Sequence, residues 1–432
     1  MIVIAAHASA QQGAITLEDA LRLAAANEPN FAAARAEQRA AELDRGIARA
    51  AILPGVTYHN QALYTQPNGA SNAAGPKGSQ PAPTFIANNA VREYASQAVV
   101  SQTFGLAQIA GIRAADAAAA RASAELEISR RGLVAATADL FFGALASERK
   151  VAVLASAKDE ASDFVSLTER REQAREAAHA DVIKAQLSLQ QRVRDQQDGI
   201  LARDRARLEL AILLFADPTI PFSIDAPKTT LVLPALTDVE AAAKEHNPEL
   251  AGAMAALRQS DMEVLGARAA YLPDIGLNFT YGIDATTFAT RAPFDSEVGK
   301  NPRNLGYSIA ATIDIPVWDW LATDHRIRQS EARRDAVRIA LTAAQKRLIV
   351  DLRESYAEAQ TAHDQLTSLE TTVSAAEQSL RLTRLRYNSG EATVLEVVDA
   401  ESTLYTAQNA EIDGQLRYQH ALNHLQILTG TL

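Results

Sequence analysis

Two histidines near the end of the chain, His420 and His424, are four residues apart. That spacing puts both imidazoles on one face of a helix, where they could share a metal ion. No cysteine exists to join them and no acidic residue stands where it would complete a set, so an ordinary helix surface is the plainer reading. The chain has no GxxxxGK phosphate loop and no HExxH pair. Its Ser, His and Asp residues are scattered along helical stretches without a nucleophile-bearing turn. Neither an enzyme nor a cofactor site is indicated. Glu396 and Asp399 are three apart and share a helix face; a solvated acidic face is the ordinary fate of such a pair.

The elements that carry these residues follow from composition. Among 432 residues, aromatics are only 5%, with Trp 2 and Met 3, while alanine runs through nearly every segment. Alanine favours helix and allows close helix approach but fills little volume, so long helices side by side suit this chain better than a compact core. The net charge of −10 comes with no concentrated basic stretch, which argues against nucleic acid as a partner. The absence of cysteine excludes disulfides and thiolate chemistry. Residues 1–10 read as the remnant of a signal peptide, apolar at Ile2–Ala6 and closing on Ala8-Ser9-Ala10. Elsewhere no apolar run reaches the roughly 18 residues of a membrane helix. If the protein crosses a membrane, it does so with strands.

The chain is also written twice. Asn27-Glu28-Pro29 faces His246-Asn247-Pro248, and Ala48–Pro54 faces Ala267–Pro273; 248 − 29 and 273 − 54 both give 219. Later, Glu176-Ala177 faces Glu391-Ala392, Leu189 faces Leu404 and Ile212-Leu213 faces Ile427-Leu428, all at 215. Two blocks in constant register mark a duplication. A seam of alternating three- and four-residue steps supports it independently, from Leu133 through Leu154 to Thr168 and again from Leu348 through Leu369 to Thr383. That is the period of supercoiled helices. A soluble coiled coil accounts for the seam equally well.

The first repeat is expected over 15–215, with a hairpin at 55–104 and helices at 106–175 and 178–215. A linker at 216–235 carries Pro218, Pro221, Pro227 and Pro234. The second repeat is expected over 236–430, with a hairpin at 274–316 and helices at 319–388 and 393–429. A helix of about 70 residues extends roughly 105 Å, too long for a globular domain. In 275–284 and 307–315 apolar residues alternate with polar ones, as in Ile275, Leu277, Phe279, Tyr281 and Ile283. Strands of this length can cross a bilayer. Val56, Tyr58 and Tyr64 suggest a third strand, and 92–104 a faint fourth. Tyr281, Tyr307 and Trp318 suit a membrane interface, and Trp318 equally suits packing at a junction. Four strands cannot close a barrel, and lipid does not tolerate an open edge, so closure would need several chains. The alternative from another class is a soluble structural coiled-coil protein with hairpin heads.

The stretch Arg386-Tyr387-Asn388-Ser389-Gly390-Glu391-Ala392-Thr393-Val394-Leu395-Glu396 through Tyr405 closely resembles the TolC family of outer-membrane efflux proteins. Leu17–Leu21 with Asn27-Glu28-Pro29, and Ile315-Pro316-Val317-Trp318, resemble it too. The resemblance implies a mainly α fold with a small β part: an internally duplicated long-helix bundle forming an α-helical barrel. Its two β-hairpins would supply four strands to a trimeric twelve-stranded outer-membrane β-barrel. It implies a homotrimer set in outer-membrane lipid with its helices in the periplasm, a passive export duct of an efflux or type I secretion system. A periplasmic adaptor protein and an inner-membrane transporter of the RND (resistance-nodulation-division) or ABC type would be its partners.

The same resemblance assigns residues. Gly390 marks the entrance turn. Glu396 and Asp399 fall where family members ring the pore, so three chains would gather six carboxylates into a cation-favouring constriction. Tyr387 and Asp181 match positions whose contact holds the entrance shut. The chain departs from the family at Ala392, where a basic residue can add a link, and at Lys184, which replaces a neutral residue. The closing contacts are therefore expected to be fewer or rearranged. The sequence does not name the cargo.

Overall fold

The computed structural model describes residues 14–65, 92–226, 232–294 and 299–430. The signal-peptide remnant at 1–10, nearly all of the loop at 65–91 and the linker residues 227–231 lie outside them. The first half of the chain forms α1 (Leu17–Asn27), α2 (Pro29–Ala50), β1 (Gly55–Tyr64), β2 (Arg92–Phe104), α3 (Leu106–Gln173) and α4 (His179–Leu214). The second half repeats the order as α5 (Leu236–His246), α6 (Pro248–Ala269), β3 (Asp274–Ala285), β4 (Leu305–Asp314), α7 (Ala322–Asn388) and α8 (Val394–Thr429).

The duplication is visible in contacts as well as in order. Pro29 and Pro248 open α2 and α6, where a missing N–H costs nothing. Just before each proline a side chain caps the helix: Glu28 accepts from Phe31 N at 2.6 Å, and Asn247 from Leu250 N at 2.9 Å. Arg49 pairs with Asp116 at 2.8 Å, and their counterparts Arg268 and Glu331 pair at 2.5 Å. A Cβ on Gly199 would come within 2.4 Å of Leu154 Cδ1, and one on Gly414 within 2.3 Å of Leu369 Cδ1. Both glycines thus admit a seam leucine from the neighbouring long helix.

The chain divides into two compact units. The first comprises Met1–Gln38, Ala122–Ala253 and Ala340–Leu432. In its first-repeat part Ala20 and Ala24 of α1 pack with Leu133 and Phe141 of α3 and Leu210 and Leu214 of α4. In its second-repeat part Val239 and Ala243 of α5 pack with Leu352 and Ala359 of α7 and Ala421 and Leu425 of α8. Arg131, buried on α3, fastens helix ends: it donates to the carbonyls of Ile427 at 3.0 Å and His246 at 2.9 Å, and pairs with Glu127 at 2.7 Å. Guanidinium groups satisfy C-terminal carbonyls and oppose the helix dipole at once.

The second unit comprises Arg39–Arg121 and Met254–Ile339 and holds one antiparallel sheet in the order β1-β2-β3-β4. The registers run from Gly55↔Ser101 to Tyr64↔Arg92, from Tyr94↔Ala285 to Phe104↔Ile275, and from Asp274↔Asp314 to Ile283↔Leu305. These pairings put Val56, Tyr58, Val100, Phe279, Tyr281, Tyr307 and Ile309 on one face. Along β3 that apolar face is the more exposed one: Ile275, Leu277, Phe279 and Tyr281 are exposed, while Gly276, Asn278 and Thr280 are less so. In water this arrangement would be inverted; in lipid it is the required one. Among the described residues β1 and β4 each have one neighbour, so both sheet edges need pairing from another copy.

Candidate functional site: the two interhelical turns

Each long helix ends in a tight turn before the helix that follows. After α7, Gly390 takes a left-handed φ of 81°. Glu391 N donates to Arg386 O at 2.8 Å and Gly390 N to Tyr387 O at 3.1 Å, the paired bonds of a Schellman stop. After α3 the same motif recurs with Glu176 N on Arg171 O and Arg175 N on Glu172 O, both 2.8 Å. There Arg175, 215 residues before Gly390, bears the positive φ of 63° without being glycine.

The helices that leave these turns start differently. Thr393 caps α8 and forms a capping box with Glu396: the threonine hydroxyl accepts from Glu396 N at 3.3 Å, and the Glu396 carboxylate accepts from Thr393 N at 3.0 Å. The hydrogen bond from the Thr393 amide, then the one from its hydroxyl, holds the Glu396 carboxyl below the usual range, with Arg386 nearby at 3.4 Å. Ala178 begins α4 without a side-chain cap. Asp181 occupies the place equivalent to Glu396 and faces Lys184 at 4.0 Å. Asp399 is exposed one turn further along α8.

Tyr387 points inward. It is 4% exposed, within a cluster of Phe164, Val165, Leu380, Val394 and Val397. Its ring meets Phe164 edge-on at 5.1 Å, and its hydroxyl reaches the buried Thr168 hydroxyl at 3.5 Å. Within one chain no hydrogen bond joins Tyr387 to Asp181. Arg171 contacts Tyr387 instead, lying 4.8 Å from its ring centre and donating to its backbone carbonyl. Glu396 and Asp399 remain together on the first turns of α8, and Gly390 lies beside Arg171.

One cluster beside the turns was not singled out from sequence. Arg384 of α7 donates to Glu401 of α8 at 2.8 Å and to Glu160 of α3 at 3.0 Å. Glu401 is 8% exposed, and burial pushes its carboxyl up against the opposing pull of Arg384. Arg192 of α4, also buried, lies over the Tyr405 ring at 4.8 Å and pairs with Asp195 at 3.1 Å. The available signal was a charge at a core position: Glu401 interrupts the run Val394, Val397, Leu404, and Arg192 ends the run Val182, Ala185, Leu189. His420, by contrast, faces Asp139 at 2.5 Å and His424 faces Ser355 at 2.8 Å, so the two imidazoles serve different neighbours. Among the described residues no cluster of side chains suits a metal ion.

The profile of the outer membrane efflux protein family matches this chain twice, over residues 20–214 and 241–431. The chain belongs to that family. Among its relatives, the alkaline protease secretion protein AprF of Pseudomonas aeruginosa is 24% identical, over 97% of this chain and 85% of that protein. The outer membrane protein TolC of Escherichia coli is 24% identical over 39% of this chain and 35% of its own length. The fold matches the outer membrane protein VceC of Vibrio cholerae with a TM-score of 0.79 at 19% identity, covering 96% of each chain. The CmeC channel of Campylobacter jejuni matches with a TM-score of 0.78 at 15% identity, over 96% of this chain and 85% of that one. The efflux-protein chain is an outer-membrane channel subunit of efflux or type I secretion systems and not an enzyme. Members of its family form trimeric channels, which is the closure that the unpaired edges of β1 and β4 require.

Proposed function

We propose that three copies of this chain form one passive duct whose twelve strands line the outer membrane and whose helices run into the periplasm. The turn at Gly390 is its periplasmic entrance, with Glu396 and Asp399 from each copy ringing the narrowest point. The observation that carries this reading is the pair of exposed carboxylates on the first turns of α8, directly after a rigid stop. The depressed Glu396 carboxyl stays charged at neutral pH, and a ring of such charges favours cations. Tyr387 and Asp181 are assigned to the contacts that hold the entrance shut, with Asp181 acting across copies or in a different closing state. A periplasmic adaptor and an inner-membrane transporter of the RND or ABC type supply docking and energy.

The test is a reversal potential in planar bilayers under a KCl gradient. The chain should select cations, and Glu396→Gln with Asp399→Asn should abolish or reverse that preference. Unchanged selectivity in the double variant would remove the constriction from α8. Removing the latch by Tyr387→Phe with Asp181→Ala should raise conductance. The nearly full-length likeness to AprF favours a polypeptide cargo exported through an ABC-type system. Export of a protease by this chain in a strain lacking its own outer-membrane secretion protein would support that cargo.

A further inference from the structure

The Arg384 cluster lies beside the entrance turns, in the part of the first unit where all four long and medium helices meet. Its members come from each of them: Glu160 from α3, Arg192 from α4, Arg384 from α7, and Glu401 with Tyr405 from α8. Glu160, Arg192, Glu401 and Tyr405 line a small cleft with Ser156, Leu404 and Gln408. The arrangement is asymmetric. Glu401 is buried, whereas Arg384 and Glu160 keep about a third of their side chains in contact with solvent (35% and 36%). Arg384 therefore sits at the rim of the cluster and reaches inward to one carboxylate and sideways to another.

We propose that Arg384 is the positioning residue that clasps the second-repeat helices α7 and α8 to α3 at the entrance, and that Glu401 makes this clasp respond to protons. A buried carboxylate whose hydrogen-bonded cationic partner is withdrawn is a poorly compensated charge, far costlier than the intact pair. Losing Arg384 therefore drives α8 away from α3, until Glu401 reaches water. A proton on Glu401 removes that drive. The groups facing Glu401 are Arg384 from α7, Glu160 from α3 and Arg192 from α4. The two guanidinium groups remain charged at any relevant pH, leaving the Glu401 carboxyl as the group that responds to acid. Because packing raises the Glu401 carboxyl, uptake of a proton favours the packed state over one that exposes it. Acid thus tightens the entrance and neutral pH loosens it. A periplasmic duct that narrows when its surroundings turn acidic is the physiological consequence. The proposal rests on the turns being the entrance.

The experiment records single channels of the full chain in planar bilayers at about pH 7 and about pH 5. Arg384→Met should raise the frequency of high-conductance events about tenfold at neutral pH, and acid should return it toward wild type. Adding Glu401→Gln to Arg384→Met should restore wild-type conductance at both pH values, since no buried charge is left unpaired. Arg384→Lys should rescue in part, because an ammonium keeps the charge but not the planar, longer-reaching guanidinium whose Nη2 bonds both carboxylates. An Arg384→Met channel that conducts as wild type, or a double variant as open as the single one, overturns the clasp. Further opening in acid overturns the proton dependence. Reversal potentials separate this from the constriction: a clasp effect with selectivity indifferent to residues 396 and 399 would keep Arg384 and discard the carboxylate ring.

Discussion

The guanidinium of Arg171 covers the Tyr387 ring at 4.8 Å and donates to the Tyr387 carbonyl, joining the last turn of α3 to the last turn of α7. One cation thus caps an orphan carbonyl at a helix C-terminus and stacks on an aromatic face. Arg171 thereby links the two repeats at their turns. Arg171→Ala should cost about 1–3 kcal/mol locally, from the lost cap and cation–π contact together. Tryptic cleavage after Arg386 in the folded channel should accelerate accordingly. Tyr387→Phe removes only a long hydroxyl contact and should leave that rate nearly unchanged.

Arg175 bears a strained conformation that its counterpart Gly390 accommodates freely. Arg175→Gly should slow local opening of the first-repeat turn, stabilising it by about 1 kcal/mol. Gly390→Ala should destabilise the other turn by a similar amount, for a Cβ there would meet nothing nearer than Arg171 Nη2 at 3.9 Å and only the φ is at issue. Amide exchange across 174–178 and 389–393 reports both. Equal protection in Arg175→Gly and wild type would remove the strain from the account.

Space, not backbone, governs Gly199. A methyl group there meets Leu154, which is 4% exposed and has little room to yield. Gly199→Ala should cost about 1–3 kcal/mol by overpacking. Leu154→Ala should be better tolerated in the Gly199→Ala background than alone, measured as the non-additivity of apparent melting temperatures at one scan rate.

Acid acts on Glu127 in the opposite sense to Glu401. Hydrogen bonds from Arg130 and Arg131 hold its carboxyl down to about 2, below the unfolded value. The stability it contributes is present above about pH 4.5 and drains away as pH falls toward about 2. Glu401, raised by burial, contributes more when protonated. Glu127→Gln should therefore flatten the acid limb of stability and also loosen Arg131 from the ends of α5 and α8, visible as lower protection at His246 and Ile427.

The sequence made the helices and three of the four strands legible for a physical reason. Seam residues from Leu133 to Thr168 and Leu348 to Thr383 are nowhere fully exposed, so the supercoil period had to be kept. β3 and β4 alternate cleanly because one face meets lipid. β2 was faint where it needs a close backbone approach to β3: a Cβ on Gly282 would fall 2.2 Å from Ser96 O. Small residues such as Ala95, Ser96 and Ala98 suit that crowding but carry little periodic signal. At the turns, Gly390 announced itself while Arg175 could not. Tyr387 was legible as a residue of interest, but its partner was not, since a stack on Arg171 across 216 residues leaves no local pattern. Glu401 left a trace as a charge in the core run of α8, but its pairing with Arg384 left none.

The central claim is that each chain's β1 and β4 edges pair with those of its neighbours to close one barrel. The natural absence of cysteine permits a direct measurement: His59→Cys in β1 combined with single cysteines scanned along β4 from Tyr307 to Ile313, oxidised in outer membranes. At matching register, edge-to-edge pairing gives covalent dimers and closed trimers on denaturing gels. Monomers alone, at every β4 position, would contradict it.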